Sequence, residues 1–205
     1  MKAHLTCALA VLAALGCTRP EDRPRASGAP DTVVFAQMDT AGVQVPPELS
    51  AFCRPGTRSL RPAGAPPTAL EAGDSVPAQD VYREKLVYLG QPVRCVVRRH
   101  EEWAALWSAI TRGVTLAPPV PPVDFGTRMV LVAGMGPHPS TGYGIGITGV
   151  RRTENGIIAT VLRYTPGLCP VGMGITEPLH AVGIPREETS VEFVERISYG
   201  PDCLE

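Results

Sequence analysis

The sequence is poor in aromatic residues and in net charge, and both shortages argue against nucleic acid as a partner. Aromatic residues make up 5% of the 205 residues, so the stacking platforms of single-strand binders are missing. The formal net charge is -1 at pH 7, which gives no basic surface for a phosphate backbone. We therefore expect a protein that does not bind nucleic acid.

The residue patterns that carry catalysis or hold a metal are also lacking. Ser140 does not lie in a Gly-x-Ser-x-Gly elbow, and no series of Ser, His and acidic residues follows the predicted strand ends. His138 and His180 come without a third ligand, and no two cysteines form a Cys-x-x-Cys pair. The sequence thus predicts no enzymatic activity, no metal site and no cofactor.

Proline and glycine, by contrast, are abundant: the chain has 22 Pro and 21 Gly. Residues 17–30 combine Pro, charge and small residues without apolar periodicity, which predicts a disordered tether. Residues 31–80 have too few large apolar residues at regular spacing to build a core, so we expect a poorly structured region there, with a short strand at Val33–Phe35. The remaining length, 81–205, suffices for one folded domain.

The first 16 residues are typical of a secretory signal, because a short positive region precedes the apolar run Leu5–Leu15. Cys17, placed directly after Ala-Leu-Gly, resembles the lipobox of bacterial lipoproteins. That resemblance implies a lipid on Cys17 and anchoring in the cell envelope by acyl chains. Thr18 instead of Asp favours the outer membrane. An ordinary secretion signal that contains a cysteine is the alternative.

From Val81 onward, short runs rich in Val, Ile, Leu and Tyr predict about seven strands. They are Lys85–Leu89, Val93–Val97, Arg128–Ala133, Gly142–Val150, Ile157–Tyr164, Leu179–Ile184 and Val191–Ile197. Turns are expected at Gly90-Gln91-Pro92, between the first two strands, and at Asn155-Gly156. In the last strand we expect the large apolar residues on one face and the glutamates, Glu192 and Glu195, between them.

One amphipathic helix is predicted at His100–Thr111. Its apolar residues recur at i, i+3, i+4 and i+7, which places Trp103 and Trp107 on one buried stripe. Leu116–Pro122 is too rich in proline to be helical and predicts an extended crossing. These elements favour an α+β fold: a mostly antiparallel sheet, curled or sandwich-like, with one helix.

Five motifs in this order resemble the C-terminal domain of the PrcB family. They are EEWAALW, PPVDF, MVLVAGMG, STGYGIGI and CPVGMGITEPLHAVGIP. The resemblance covers about 81–198 and identifies 81–205 as a PrcB-like domain. It implies an accessory domain of a bacterial surface protease complex, with no known chemistry of its own. The sequence Thr141-Gly142-Tyr143 has one Gly fewer than the more usual Thr-Gly-Gly-Tyr loop of the family.

The loop at Pro139–Tyr143 also resembles the Pro-Thr-Thr-Gly-Tyr loop of chagasin-type inhibitors of cysteine proteases. Proline lowers the ordering cost of binding, and Tyr143 is a residue type favoured at binding hot spots. We therefore predict that a protein partner, with a secreted or surface protease as the candidate, is bound by His138, Pro139, Ser140, Thr141, Gly142 and Tyr143. The alternative is a turn that only shapes the sheet, with Tyr143 buried.

Three functions stay open at this stage: an accessory subunit of a protease complex, a protease inhibitor, and a structural envelope scaffold. The glycines Gly142, Gly144 and Gly146 alternate along one strand face, which indicates that some group approaches that face closely. The tryptophan-bearing helix could supply that group, and so could a partner chain, but we favour packing within the domain.

Four cysteines, Cys53, Cys95, Cys169 and Cys203, remain once the signal and Cys17 are set aside. An even number in an exported chain favours disulfides, and four cysteines allow three pairings. We favour Cys169 with Cys203 and Cys53 with Cys95. The second pair would pin the Pro-rich region onto the domain.

Overall fold

Twelve strands and one helix make up the part of the chain that the structure describes. The structure is a computed structural model, and it describes residues 45–56, 61–64 and 72–200. The strands in chain order are β1 (Cys53–Pro55), β2 (Arg61–Pro62), β3 (Asp74–Ser75), β4 (Gln79–Glu84), β5 (Pro92–Val97), β6 (Arg128–Met135), β7 (His138–Ser140), β8 (Gly144–Thr153), β9 (Gly156–Thr165), β10 (Met173–Thr176), β11 (Leu179–Pro185) and β12 (Val191–Tyr199). The helix α1 spans His100–Ile110.

Strand β6 is buried on both faces and lies at the centre of the molecule. Its odd-numbered apolar residues, such as Met129 and Leu131, belong to one hydrophobic core, and Val130 and Val132 belong to a second. Side chains alternate between the faces of a strand, so a strand that is apolar on both faces must have a layer on each side. The fold therefore has three layers: α1, the sheet that contains β6, and a second sheet.

The first sheet has five strands in the order β1-β5-β6-β11-β4, and all neighbours are antiparallel. The second sheet has the order β2-β12-β9-β8-β3. In it, β8 and β9 form an antiparallel hairpin, while β12 runs parallel to both β9 and β2. The hairpin forms as predicted, although its two-residue turn is Glu154-Asn155 and Gly156, with a positive φ of 131°, already opens β9. A third, small sheet pairs β7 with β10.

The strand count of about seven is wrong, because five further strands are only two to four residues long. These are β1, β2, β3, β7 and β10. They contain Pro, Gly, Arg or Asp, and each is too short for an apolar alternation to be recognised, so a pattern search passes over them. The α+β class, the sandwich-like arrangement and the single helix agree with the prediction, although the second sheet is mixed.

The first predicted strand, Lys85–Leu89, is also wrong. The strand lies earlier, at Gln79–Glu84, and pairs with β11 at the edge of the first sheet. Lys85–Leu89 instead makes an isolated bridge, in which Val87 N–H donates to Glu177 O and Glu177 N–H donates to Lys85 O. Consequently β4 and β5 do not form the hairpin that Gly90-Gln91-Pro92 suggested.

Glu195 lies on the inner face of β12, the same face as the apolar residues of that strand, and not on the opposite one. Residues 191, 193, 195 and 197 share one face of a strand, because side chains alternate. Glu195 is fully buried and pairs with Arg94 of β5 across the space between the sheets. The expected position of Glu195 on the solvent face is therefore corrected.

The helix α1 buries both tryptophans, as predicted. Trp103 and Trp107 lie in the core between α1 and the first sheet. Their indole N–H groups donate to backbone carbonyls of the extended crossing, Trp103 to Pro121 O and Trp107 to Pro118 O, each at 2.9 Å. A buried indole N–H needs an acceptor, so the two tryptophans fix the crossing against the helix.

The described part of the Pro/Gly-rich region packs on the domain. Residues Pro47–Leu49 form a 3-10 turn, and Leu49 is fully buried in the core beneath α1. Cys53 and Cys95 are opposite each other in β1 and β5 and form a disulfide, the pairing favoured above. Cys169 is also disulfide-bonded. Its expected partner Cys203 lies outside the described residues, as do the predicted signal segment, tether and strand at 33–35.

Replacing Cys53 and Cys95 together by Ala should lower the free energy of unfolding by about 2–4 kcal/mol, because the cross-link restricts the unfolded chain. Urea unfolding of the variant and the wild type, without reductant so that Cys169 stays oxidised, measures the difference. A change below about 0.5 kcal/mol would show that β1 is held by packing alone.

Candidate functional site

The predicted binding loop lies at one end of the sandwich, after β6 ends. Gly136 turns the chain with a positive φ of 78°, and a Cβ built there would lie 2.8 Å from the nitrogen of Pro92. Only glycine fits such a position. The chain then forms β7, whose residues His138 and Ser140 pair with Thr176 and Met173 of β10.

The loop residues are brought together, but they differ in exposure. The rings of His138 and Tyr143 stack, with centroids 4.1 Å apart and planes inclined by 17°. Both side chains are half-buried, while Pro139 and Thr141 are exposed. Tyr143 thus presents less surface than a freely exposed tyrosine. The binding role of the six residues remains a prediction.

Hydrogen bonds hold the loop against the segment that precedes and forms β10. Thr141 N–H donates to Gly172 O at 3.0 Å. The Thr176 hydroxyl donates to Ser140 O at 2.7 Å. With these bonds and the ring stack, the loop is ordered before any partner arrives, which lowers the entropy cost of binding.

Strand β10 is the part of the site that the sequence analysis did not identify. Met173 is 99% exposed and Ile175 is 71% exposed, and their alternation puts both on one face. Among the described residues, β10 pairs only with β7, so its other edge is open. The signal was present as Val171-Gly-Met-Gly-Ile, where intervening glycines leave the apolar side chains without cover.

The groups that lie close to Gly142 and Gly146 come from strands and loops of the domain, and none comes from α1. A Cβ on Gly142 would overlap Pro166 and lie 2.6 Å from Val171 Cγ1. At Gly146 the nearest atoms belong to Arg83 and His180. The suggestion that α1 fills this face is therefore wrong, and the packing within the domain explains the glycines.

His180 is the centre of a polar network that joins the two large sheets. It is almost fully buried on β11, and its Nδ1 accepts a hydrogen bond of 2.9 Å from the Ile147 N–H of β8. Its Nε2 lies 2.9 Å from Asp80 Oδ1 and 2.8 Å from Arg83 Nη2. Because Nδ1 is an acceptor, the ring proton of neutral His180 is on Nε2 and is donated to Asp80.

The pKa values of the two interior histidines are both lowered. Burial lowers the pKa of His180, and the Arg83 charge lowers it further, against the opposing effect of the hydrogen bond that His180 donates to Asp80. Burial also lowers the pKa of His138, with a contribution from the positive charge of Arg163. The buried His180 ring, with both nitrogens engaged, fits a structural role.

No three His, Cys, Asp or Glu side chains in the described ranges are grouped so that they could hold a metal ion.

Asp124, which follows the crossing, accepts hydrogen bonds from Gly126 N–H and the Thr127 hydroxyl and so closes a turn. Within the described chain, α1 is not long and apolar enough to cross a bilayer.

The matching family covers the segment that carries the loop and β10 together. Residues 129–185 match the PrcB C-terminal family. The resemblance found in the motifs is thereby confirmed over β6 to β11. The PrcB-matching segment contains the whole β7–β10 sheet and leaves α1, β5 and β12 outside it. No curated protein and no solved structure matches the chain.

Gly142→Ala should lower the free energy of unfolding by about 1–3 kcal/mol, because the new methyl group overlaps Pro166 and Val171. Gly144→Ala is the matched control, since its Cβ would lie 3.8 Å from Tyr164 Cβ, an ordinary contact. Urea unfolding of both variants gives the comparison. Equal losses would show that close packing is not what requires glycine at 142.

The free energy of unfolding should decrease as the pH drops below about 6.5, because His138 and His180 bind protons more readily in the unfolded chain than in the folded one. Above that pH both histidines are neutral in the folded and the unfolded chain, so their contribution to stability is complete. It is lost as the pH falls from there towards the lowered pKa values of the folded state. Each histidine adds a slope of up to about 1.4 kcal/mol per pH unit.

His180→Asn isolates the contribution of His180, since its Oδ1 can still accept from the Ile147 N–H but does not titrate. Urea unfolding between about pH 7.5 and pH 5.5 should give a shallower decline for the variant. Identical slopes for variant and wild type would contradict the assignment.

Proposed function

We propose that this protein is a non-enzymatic accessory protein of the bacterial cell envelope. In this proposal it is anchored by lipid on Cys17, and its PrcB-type domain binds a protein partner, a subunit of a protease complex. The family match supports the protease association. The lipobox-like position of Cys17 supports the anchor, which would hold the domain at the outer membrane.

The observation that carries the binding function is the exposed apolar face of β10 beside the ordered loop. We name it the β7–β10 surface, and it consists of Pro139, Thr141, Met173 and Ile175. Large apolar side chains exposed on a small, otherwise polar segment mark interaction sites. Methionine adapts its shape to a partner, and proline keeps the loop rigid, so the surface combines a fixed and an adjustable part.

The open edge of β10 suggests how a partner engages. An extended segment can add as a further strand, with main-chain hydrogen bonds to the edge and side chains against Met173 and Ile175. Proteins usually protect such edges with charge or proline. Residues 172–175 carry neither, and all four are exposed. This lack of protection favours an edge that a partner covers.

Met173→Asp combined with Ile175→Asp should reduce the partner recovered by at least about tenfold, since an unpaired carboxylate would be buried in an apolar contact. Full-length protein is cross-linked in its native envelope, purified, and its partners are quantified by mass spectrometry. Leu116→Asp is the matched control, because Leu116 is 90% exposed and lies in the crossing, away from β10.

A protein lost with the double variant and retained with the Leu116 variant would support the proposal. Recovery that is equal in both, or absent in all, would overturn it in favour of a structural scaffold. If the partner is a protease, its cleavage of a peptide substrate is then measured with and without this protein. Inhibition would favour the second function, in which the exposed tip at Pro139 and Thr141 blocks a protease cleft.

A further inference from the structure

A buried ion pair joins β5 to β12, and a second, partly exposed arginine lies beside it on β9. Arg94 Nη2 lies 2.7 Å from Glu195 Oε1, with side chains 2% and 0% exposed. Arg163 Nη1 lies 3.8 Å from the second oxygen of the same carboxylate. Among the described residues, one buried glutamate is thus shared by two guanidinium groups.

Arg94 also has one hydrogen-bond donor, its Nε, without an acceptor among the described residues. Its Nη1 donates to Val93 O and to Gly134 O, each at 2.6 Å, and its Nη2 faces Glu195. Its Nε, which is buried, has no hydrogen-bond partner among the described residues. A buried N–H without an acceptor is rare in folded proteins, because it has given up its hydrogen bond to water.

Arg94 borders a cleft at the open edge of the sandwich, between β1 and β12. Two neighbouring cavities of about 360 and 610 Å³ share Arg54, Arg94 and Val191 as lining residues. Arg54 crosses between them: its Nη2 donates to Val191 O at 2.8 Å, and its guanidinium lies 5.4 Å from the ring centroid of Phe193. The cleft thus has an exposed arginine at its side and a buried one at its base.

The two glutamates along the cleft leave the arginines available. Glu102 accepts hydrogen bonds from Arg98 N–H and Arg99 N–H and pairs with the Arg99 side chain. Glu192 is exposed, where water screens its charge. Phe52 and Val96 line one cavity and Phe193 lines the other, beside the polar residues Ser50, Arg98 and Ser190.

We propose that this cleft binds an acidic peptide segment, with one carboxylate held by Arg54 and Arg94. The Arg94 Nε, which has no acceptor among the described residues, and the exposed Arg54 argue for a carboxylate. Arginine binds carboxylates by charge-assisted hydrogen bonds. Phe52, Val96 and Phe193 argue for a peptide rather than a bare ion, because they would cover the residues beside the acid.

The site is separate from the β7–β10 surface. Its two cavities meet β12 at Val191–Phe193, the first residues of that strand, and none of Pro139, Thr141, Met173 and Ile175 lines them. The inference therefore goes beyond the function proposed above, and either can fail alone. Loss of the β7–β10 partner does not bear on the cleft.

The test uses full-length protein and nuclear magnetic resonance of the arginine Nε–H groups. The probes are the peptides acetyl-Leu-Glu-Leu-amide and acetyl-Leu-Gln-Leu-amide, which differ only in the carboxylate. The Glu peptide should shift the Arg94 and Arg54 signals to saturation. The Gln peptide should bind at least about tenfold more weakly, because it lacks the charge-assisted bonds.

Arg54→Gln should weaken binding of the Glu peptide by about tenfold. Arg151→Gln is the matched control, since Arg151 is an exposed arginine on β8, and it should leave the affinity unchanged. Equal binding of the two peptides, or no shift at about 10 mM peptide, would overturn the proposal. The comparison of peptides is made on the wild type, so it decides the question even if a variant misfolds.

Discussion

From Met129 to Met135 every residue of β6 is buried, and such a strand needs an apolar layer on each of its faces. The helix α1 supplies one layer and the second sheet supplies the other. The extended crossing and Leu49 are in turn fixed by α1, through the two indole hydrogen bonds and the packing beneath the helix. The positions of the site residues follow, because the loop begins where β6 leaves the core.

Polar groups inside the sandwich define how the two sheets face each other. His180 accepts from Ile147 N–H across the sheets, and Arg94 pairs with Glu195 at another point of the same interface. Apolar packing alone tolerates sliding of one sheet on the other, whereas a hydrogen bond needs one alignment. Buried pairs of this kind add little net stability, since desolvation offsets their attraction. We assign them the role of fixing the alignment.

The strongest periodic signals could be predicted from the sequence, and the weak ones could not. The apolar stripe with Trp103 and Trp107 predicted the helix, and Asn155-Gly156 predicted the β8–β9 hairpin. Both elements are determined by residues close together in the sequence. Gln79–Glu84 was missed since an edge strand with polar side chains has no apolar alternation. The exposed β10 was missed because apolar residues are assumed to be buried. Glu195 was misplaced although strand parity alone puts it on the inner face.

The order of strands has a consequence for how the chain acquires its structure during synthesis. In the first sheet, β11 lies between β6 and β4, so β4 cannot pair, for example at Glu84 with Leu179, before β11 is present. In the second sheet, β12 lies between β9 and β2. Both sheets are therefore incomplete until the last strands are made. Pairing between distant segments is slow, so a chain of this fold keeps unpaired strand edges exposed until its C-terminal strands are in place.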